Sequence, residues 1–147
     1  MPSSEDRLAH AMQEGLDQCL CLNLRAAARR VTQFYEARLA AADLSIAQFA
    51  ILAHTAAKKS PAMAEIAESM ALDPSTLSRT LKPMEEAGFL SIEADPDNRR
   101  VRRVRLTKPG KAKLKEASAL WIAAQDAAAR ALSPAFLREL KRGVAQL

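Results

Sequence analysis

The sequence predicts a mainly α-helical fold interrupted once by a small two-stranded β-hairpin. Three observations carry that expectation. Leucine, alanine and methionine recur at threes and fours along most of the chain, the period of helices with one buried stripe. Between residues 89 and 106 the period drops to two on either side of Asp95-Pro96-Asp97-Asn98, the pattern of a hairpin around a turn. Residues 73–88 carry both ends of a short helix: Asp73 as an N-cap, Pro74 at the first helical position and Gly88 as a left-handed stop.

Composition sets the bounds. The 147 residues suffice for one domain with a sizeable core. They are 49% hydrophobic but only 4% aromatic, with abundant alanine, which favours helix. A net charge of +5 points toward nucleic acid or an anionic surface. The start, MPSSEDRLAH, has neither a basic n-region nor an apolar run, so no secretory signal is expected. The least polar stretch, residues 39–57, contains Asp43, Gln48 and His54 and does not read as a membrane span. Two cysteines without an export signal imply free thiols in a reducing, cytoplasmic setting.

Taken in order, Ser3 or Ser4 caps a first helix. Leu8, Met12, Leu16, Leu20, Leu24, Ala27, Val31, Phe34 and Leu39 carry its stripe to about residue 42, with Gly15 as the point of division or fraying. So long a stripe exceeds what a small domain covers, and part of it is expected to meet a second copy of the chain. Asp43-Leu44-Ser45 reads as a turn, with Ser45 capping a core helix over residues 46–57. Lys58-Lys59 closes that helix at its negative end. Ser60-Pro61 is expected to start the next, with Met63, Ile66, Ala67 and Met70 inward. Ala71-Leu72 then turns the chain into the helix over residues 73–87.

On that helix Leu77, Leu81 and Met84 form the buried stripe, leaving Ser75, Thr76, Ser78, Arg79 and Lys82 outward. By itself such a face suits either solvent or a DNA major groove. A tight turn joining it to a preceding short helix is helix-turn-helix layout. Pro83 removes one helical bond and is expected to bend the helix. In the hairpin, Leu90, Ile92 and Ala94 alternate on the first strand. Val104 and Leu106 share one face of the second, and Arg103 and Arg105 the other. The run from residue 99 to 115 holds Arg99, Arg100, Arg102, Arg103, Arg105, Lys108, Lys111, Lys113 and Lys115 with no acid among them. Directly after a helix-turn-helix, a basic hairpin can straddle phosphates and reach a minor groove. Residues from about 110 form a long helix through Leu114, Leu120, Trp121, Ala124 and Ala128. Ser133-Pro134 caps a last helix bearing Phe136, Leu137, Leu140 and Val144.

The order of these elements, with LDPSTLSRTLKPMEEAGFL and DPDNRRVRRVRLT, resembles a MarR-family winged-helix regulator over essentially all 147 residues. The resemblance implies a single domain. Its winged helix-turn-helix would span about residues 45–107, with dimerisation helices at about 5–42 and 110–147. It implies a homodimer that binds double-stranded DNA at a pseudo-palindromic operator, as a repressor or an activator, and needs no cofactor or metal. By position, Pro74, Ser75, Thr76, Ser78, Arg79 and Lys82 would face the major groove, with Arg99, Arg100 and Arg102 in the wing. A small aromatic effector would enter a cleft near Arg25, Arg29, Phe49 and Leu52. Two departures stand out. Asn98 replaces the usual wing Asp, weakening an ion pair there, and LTKPG replaces the commoner LTEKG.

Cys19 and Cys21, two apart on the expected first helix, face different ways and do not readily bridge. They read as small packed hydrophobes. The resemblance adds a sharper reading, in which Cys21 aligns with the reactive cysteine of the organic-hydroperoxide-sensing branch and an oxidant is the effector. Tyr35 matches one aromatic partner of that cysteine, while Arg25 and Ile46 stand where other tyrosines would be. Arg25 could still lower the thiol pKa. His10 and His54 read as structural or exposed. No Gly-rich phosphate loop, HExxH or nucleophile elbow is present, so an enzyme is not expected. A sequence-indifferent architectural DNA binder needs only the basic hairpin. The hydroxyl-rich helix argues against it, because those side chains have base edges to read.

Overall fold

A computed structural model of the chain describes Met1 and residues 3–147. Contacts divide these into two compact units, residues 1–35 and 36–147. The helices are α1 (Ser4–Asp17), α2 (Leu20–Leu39), α3 (Ile46–Lys58), α4 (Met63–Ser69), α5 (Pro74–Glu86), α6 (Lys108–Ala131) and α7 (Phe136–Val144). The strands β1 (Leu90–Ala94) and β2 (Arg102–Leu106) form the expected antiparallel hairpin. Among the described residues, no single helix is long and apolar enough to cross a membrane.

In the first unit, Ser3 and Asp6 form a reciprocal capping box that starts α1. The continuous first helix expected from the stripe is not found: it breaks at Gln18-Cys19, not at Gly15. The Asn23 amide donates to the carbonyls of Asp17 and Cys19, both at 2.9 Å, supplying side-chain partners where the backbone ladder stops. Gly15 lies inside α1. No residue of α1 is buried; Leu8, Met12 and Leu16 are 63%, 57% and 46% exposed.

The second unit holds the core. Leu39, Ile51, Leu52, Ile66, Leu77, Leu81, Met84 and Val104 are all at most 1% exposed. A 3-10 turn over Ala40–Ala42 ends at Asp43 in the left-handed region, and Ser45 caps α3 with Gln48 closing the box. Trp121 of α6 stacks on Phe49 of α3 at 5.5 Å between ring centres. Lys113 of α6 donates to the Ala42 carbonyl at 3.2 Å.

Three boundaries differ from expectation. Ser60-Pro61 does not start α4. The Pro61 carbonyl accepts from Val104 N–H at 2.9 Å and Ala62 bridges Arg103, so this segment adds a fragment of strand to the hairpin. α4 begins after Ala62, whose N–H donates to the Glu65 carboxylate at 2.7 Å. α6 begins at Lys108, because the Thr107 hydroxyl accepts from Gly110 N–H and Pro109 fits the first turn. Ser133 does not cap α7 with its side chain; its carbonyl accepts from Phe136 N–H.

Candidate nucleic-acid interface

The turn between α4 and α5 is tight because Ala71 takes φ 51°, with Leu72 N–H returning to the Ala67 carbonyl at 2.9 Å. Glycine is the usual occupant of such a position. Asp73 then caps α5, accepting from Thr76 N–H at 2.9 Å and from the hydroxyls of both Ser75 and Thr76. Those hydroxyls, Ser75's foremost, hold the Asp73 carboxyl far below the usual carboxylate range. With Leu77, Leu81 and Met84 buried, Pro74, Ser75, Ser78, Arg79 and Lys82 are exposed and Thr76 half-buried. Arg79 donates to the Thr76 hydroxyl at 3.2 Å, and Lys82 lies 4.0 Å from Glu86. One face of α5 therefore carries hydroxyls and two cations over a sealed apolar stripe.

α5 and the hairpin are locked together. Gly88 takes φ 75°, Ile92 N–H donates to the Glu85 carboxylate, and the Thr107 hydroxyl donates to the Gly88 carbonyl. Gly110 permits the close approach of α6, since a Cβ there would lie 1.9 Å from the Phe89 carbonyl oxygen. In the hairpin Leu90 pairs with Leu106, Ile92 with Val104 and Glu93 with Arg103.

At the tip, the Asp95 carboxylate accepts from the N–H groups of Asp97 and Asn98 at 2.8 and 3.1 Å. Its other oxygen pairs with the Arg103 guanidinium, which also donates to the Ser60 carbonyl at 3.1 Å. Arg103, then those N–H groups, hold the Asp95 carboxyl low, and Asp95 in turn raises Arg103. The wing thus has an ion pair that the sequence reading missed. The signal was there: an Asp at the turn's entry and an Arg eight residues on, brought together by the register. Asn98 instead accepts from Arg100 N–H at 3.2 Å.

The basic run is therefore not uniform. Arg103 answers Asp95, Arg105 lies 3.4 Å from Glu93, and Lys113 lies 3.0 Å from Glu116. Arg102 is exposed and donates to the Ile92 carbonyl at 3.0 Å. Arg99 and Arg100, exposed at the tip, have no ion pair among the described residues.

The other candidates lie elsewhere. Phe49 and Leu52 are core residues of the second unit; Arg25 and Arg29 belong to the first, and both are exposed. Cys19 sits at the break between α1 and α2 rather than within a helix, and is half-buried; Cys21 is exposed, and both are free. His10 lies 3.4 Å from Glu14.

An exposed hydroxyl-and-cation helix joined rigidly to a hairpin with free arginines is the frame on which comparison with known proteins turns. Residues 44–101, which span α3 to the hairpin tip, match the model of the MarR family. That region is similar to the MarR family. The winged helix-turn-helix formed by α4, α5 and the hairpin is that of a DNA-binding transcriptional regulator. The DNA-bound transcriptional regulator MosR of M. tuberculosis is similar at TM-score 0.76 and 29% identity, over 84% of this chain and 92% of that one. The transcriptional repressor CouR, bound to a 23-mer duplex, is similar at TM-score 0.76 and 25% identity, over 89% and 93%. Bordetella bronchiseptica BpsR, whose DNA binding is regulated by 6-hydroxynicotinic acid, shares the fold at TM-score 0.76 and 21% identity, over 88% and 94%. No curated protein matches the chain.

Proposed function

We propose that this chain is a MarR-family cytoplasmic repressor that binds a pseudo-palindromic operator as a homodimer and leaves it when an effector binds. The observation that carries the reading is the pairing of an exposed Ser75–Ser78–Arg79–Lys82 face with a hairpin tip whose Arg99 and Arg100 are unpaired among the described residues. Pro74, Ser75, Thr76, Ser78, Arg79 and Lys82 enter the major groove, and Arg99, Arg100 and Arg102 meet phosphates or the minor groove. The similar repressor CouR supports repression as the mode of action.

A second copy supplies the cover for apolar residues at both ends of the chain. Leu8, Met12 and Leu16 of α1 are exposed, as are Phe136, Leu137 and Val144 of α7, which has no buried residue. The interface buries more than roughly 2,000 Å², and the two recognition helices lie about 34 Å apart, one turn of DNA. The effector is a small aromatic molecule, or an oxidant acting on the exposed Cys21. Cys21→Ser separates the two: it abolishes oxidant-induced release only if the thiol is the sensor, and Cys19→Ser changes little.

The decisive measurement is binding to the promoter beside the chain's own gene and to a scrambled duplex, across a salt series. Arg79→Ala costs roughly 1–3 kcal/mol on the operator and relaxes base preference. Arg99→Ala weakens both duplexes alike and lowers the salt slope by about one unit for each phosphate left without its cation. The reverse pattern would exchange the two roles. Uniform coating of the promoter in a footprint would instead mark an architectural protein.

A further inference from the structure

We infer that the Asp73 carboxylate makes Ser75 a hydrogen-bond acceptor, so that its hydroxyl reads the exocyclic amino group of adenine or cytosine in the major groove. The inference rests on the DNA-binding reading and adds the chemistry of one contact to it. Three donors converge on Asp73 at the start of α5. The Ser75 hydroxyl donates to one carboxylate oxygen at 2.5 Å, and Thr76 N–H to the same oxygen at 2.9 Å. The Thr76 hydroxyl donates to the other oxygen at 2.6 Å. A hydroxyl has one proton to give and two lone pairs. Both protons are spent inside the chain, and the Asp73 carboxyl, held low chiefly by Ser75, stays ionised to receive them. Thr76 is half-buried and accepts from Arg79 at 3.2 Å. Ser75 is exposed, and its lone pairs are free among the described residues.

The rest of this turn is equally short of donors. Pro74 has no N–H, and Leu77 N–H is taken by the Asp73 carbonyl at 3.1 Å. A helix start with free N–H groups draws a phosphate; this one presents a carboxylate and lone pairs, which repel it. An acceptor in the major groove has few partners. Guanine O6 and N7 and thymine O4 are themselves acceptors, and only adenine N6 and cytosine N4 donate there. On the strand that Ser75 faces, A and C therefore fit, and G and T do not. Ser78, exposed and without a hydrogen-bonded partner among the described residues, keeps its proton and carries no such bias.

Selection from a random duplex library with the whole chain tests this. At one position in each half-site, the wild type takes A or C over G or T on the same strand. Ser75→Ala loses that bias at that position alone and binds the selected duplex about tenfold more weakly. A second arm deletes only the amino group, replacing a preferred adenine by purine or a preferred cytosine by 2-pyrimidinone. The deletion weakens wild type about tenfold more than it weakens Ser75→Ala, a comparison that cancels the altered base pair. Asp73→Ser keeps an N-cap but no carboxylate; it admits G or T at the position, while its thermal midpoint reports that the chain still folds. An unchanged base bias in Ser75→Ala overturns the inference, as does a G or T bias that Ser75→Ala removes. So does an amino deletion that weakens both proteins equally. A wild type that enriches no sequence at all defeats the DNA-binding reading, and this inference with it.

Discussion

Helices α1 and α5 carry the same kind of apolar stripe and end in opposite states. On α5, Leu77, Leu81 and Met84 are at most 1% exposed. On α1, Leu8, Met12 and Leu16 keep about half or more of their surface. A stripe at helical spacing states that something covers it, not what. For α5 the cover is this chain's own α3, α4 and β1. For α1 we assign it to a second copy, an assignment that makes the two regions respond differently to the same kind of substitution.

The largest difference is expected from truncating one leucine on each stripe. Leu81→Ala leaves a cavity in a sealed core and costs about 2–5 kcal/mol in urea unfolding. Replacing Leu8 and Leu137 by Ser acts on association instead, weakening it by roughly 1–2 kcal/mol per site when sedimentation equilibrium is followed at micromolar chain. A double variant that sediments as wild type would break the assignment. Next comes Gly110→Ala. The new Cβ would fall 1.9 Å from one backbone atom of Phe89 and 2.9 Å from another, and neither can swing away. About 1–3 kcal/mol of stability is expected to be lost, and a neutral result would mean that α6 has room to retreat.

The wing supplies a stabilising contribution that is present at neutral pH and lost only in acid. In the folded chain Asp95 titrates below its ordinary 3.8, held there first by Arg103 and then by Asp97 and Asn98 N–H. Its contribution to stability is therefore complete above that ordinary value and is lost as pH falls through the folded value. Asp95→Asn should be less stable than wild type at neutral pH, and the gap should close toward the acid end of a pH series of urea midpoints. A gap of constant size down to about pH 2 would show that the carboxylate's charge is not what stabilises the tip.

How much of this was legible follows from how local each signal is. The caps at Asp73 and Ser45, the stop at Gly88 and the hairpin turn are written in one to four neighbouring residues, and the sequence reading finds them. The break after α1 was placed at Gly15 because glycine is the weakest helix former in the stretch. The actual break depends on Asn23, four and six residues past the carbonyls it binds. The strand fragment at residues 60–62 and the Asp95–Arg103 pair depend on the register of a hairpin, which no single window displays. The exposure of Ser75, Ser78, Arg79 and Lys82 on α5 is readable for the first reason. That Arg103 and Arg105 face acids was hidden for the second.

The smallest expected effect returns to Gly15, the counterpart of Gly110. It lies in the interior of α1, and a Cβ built there would meet nothing within 4 Å. Glycine in such a place costs backbone entropy that alanine does not. Gly15→Ala should therefore raise stability by about 0.5–1 kcal/mol, seen as a higher thermal midpoint. The sign carries more information than the size. In one chain the position is open, so a loss of stability would require an atom from outside it, within reach of the new methyl. That atom would belong to the second copy, and its position would fix where the partner crosses α1. A gain would leave Gly15 in solvent and confine the cover to the Leu8–Met12–Leu16 stripe. Either sign, measured alongside sedimentation of the same variant, tests which face of α1 the proposed second copy covers.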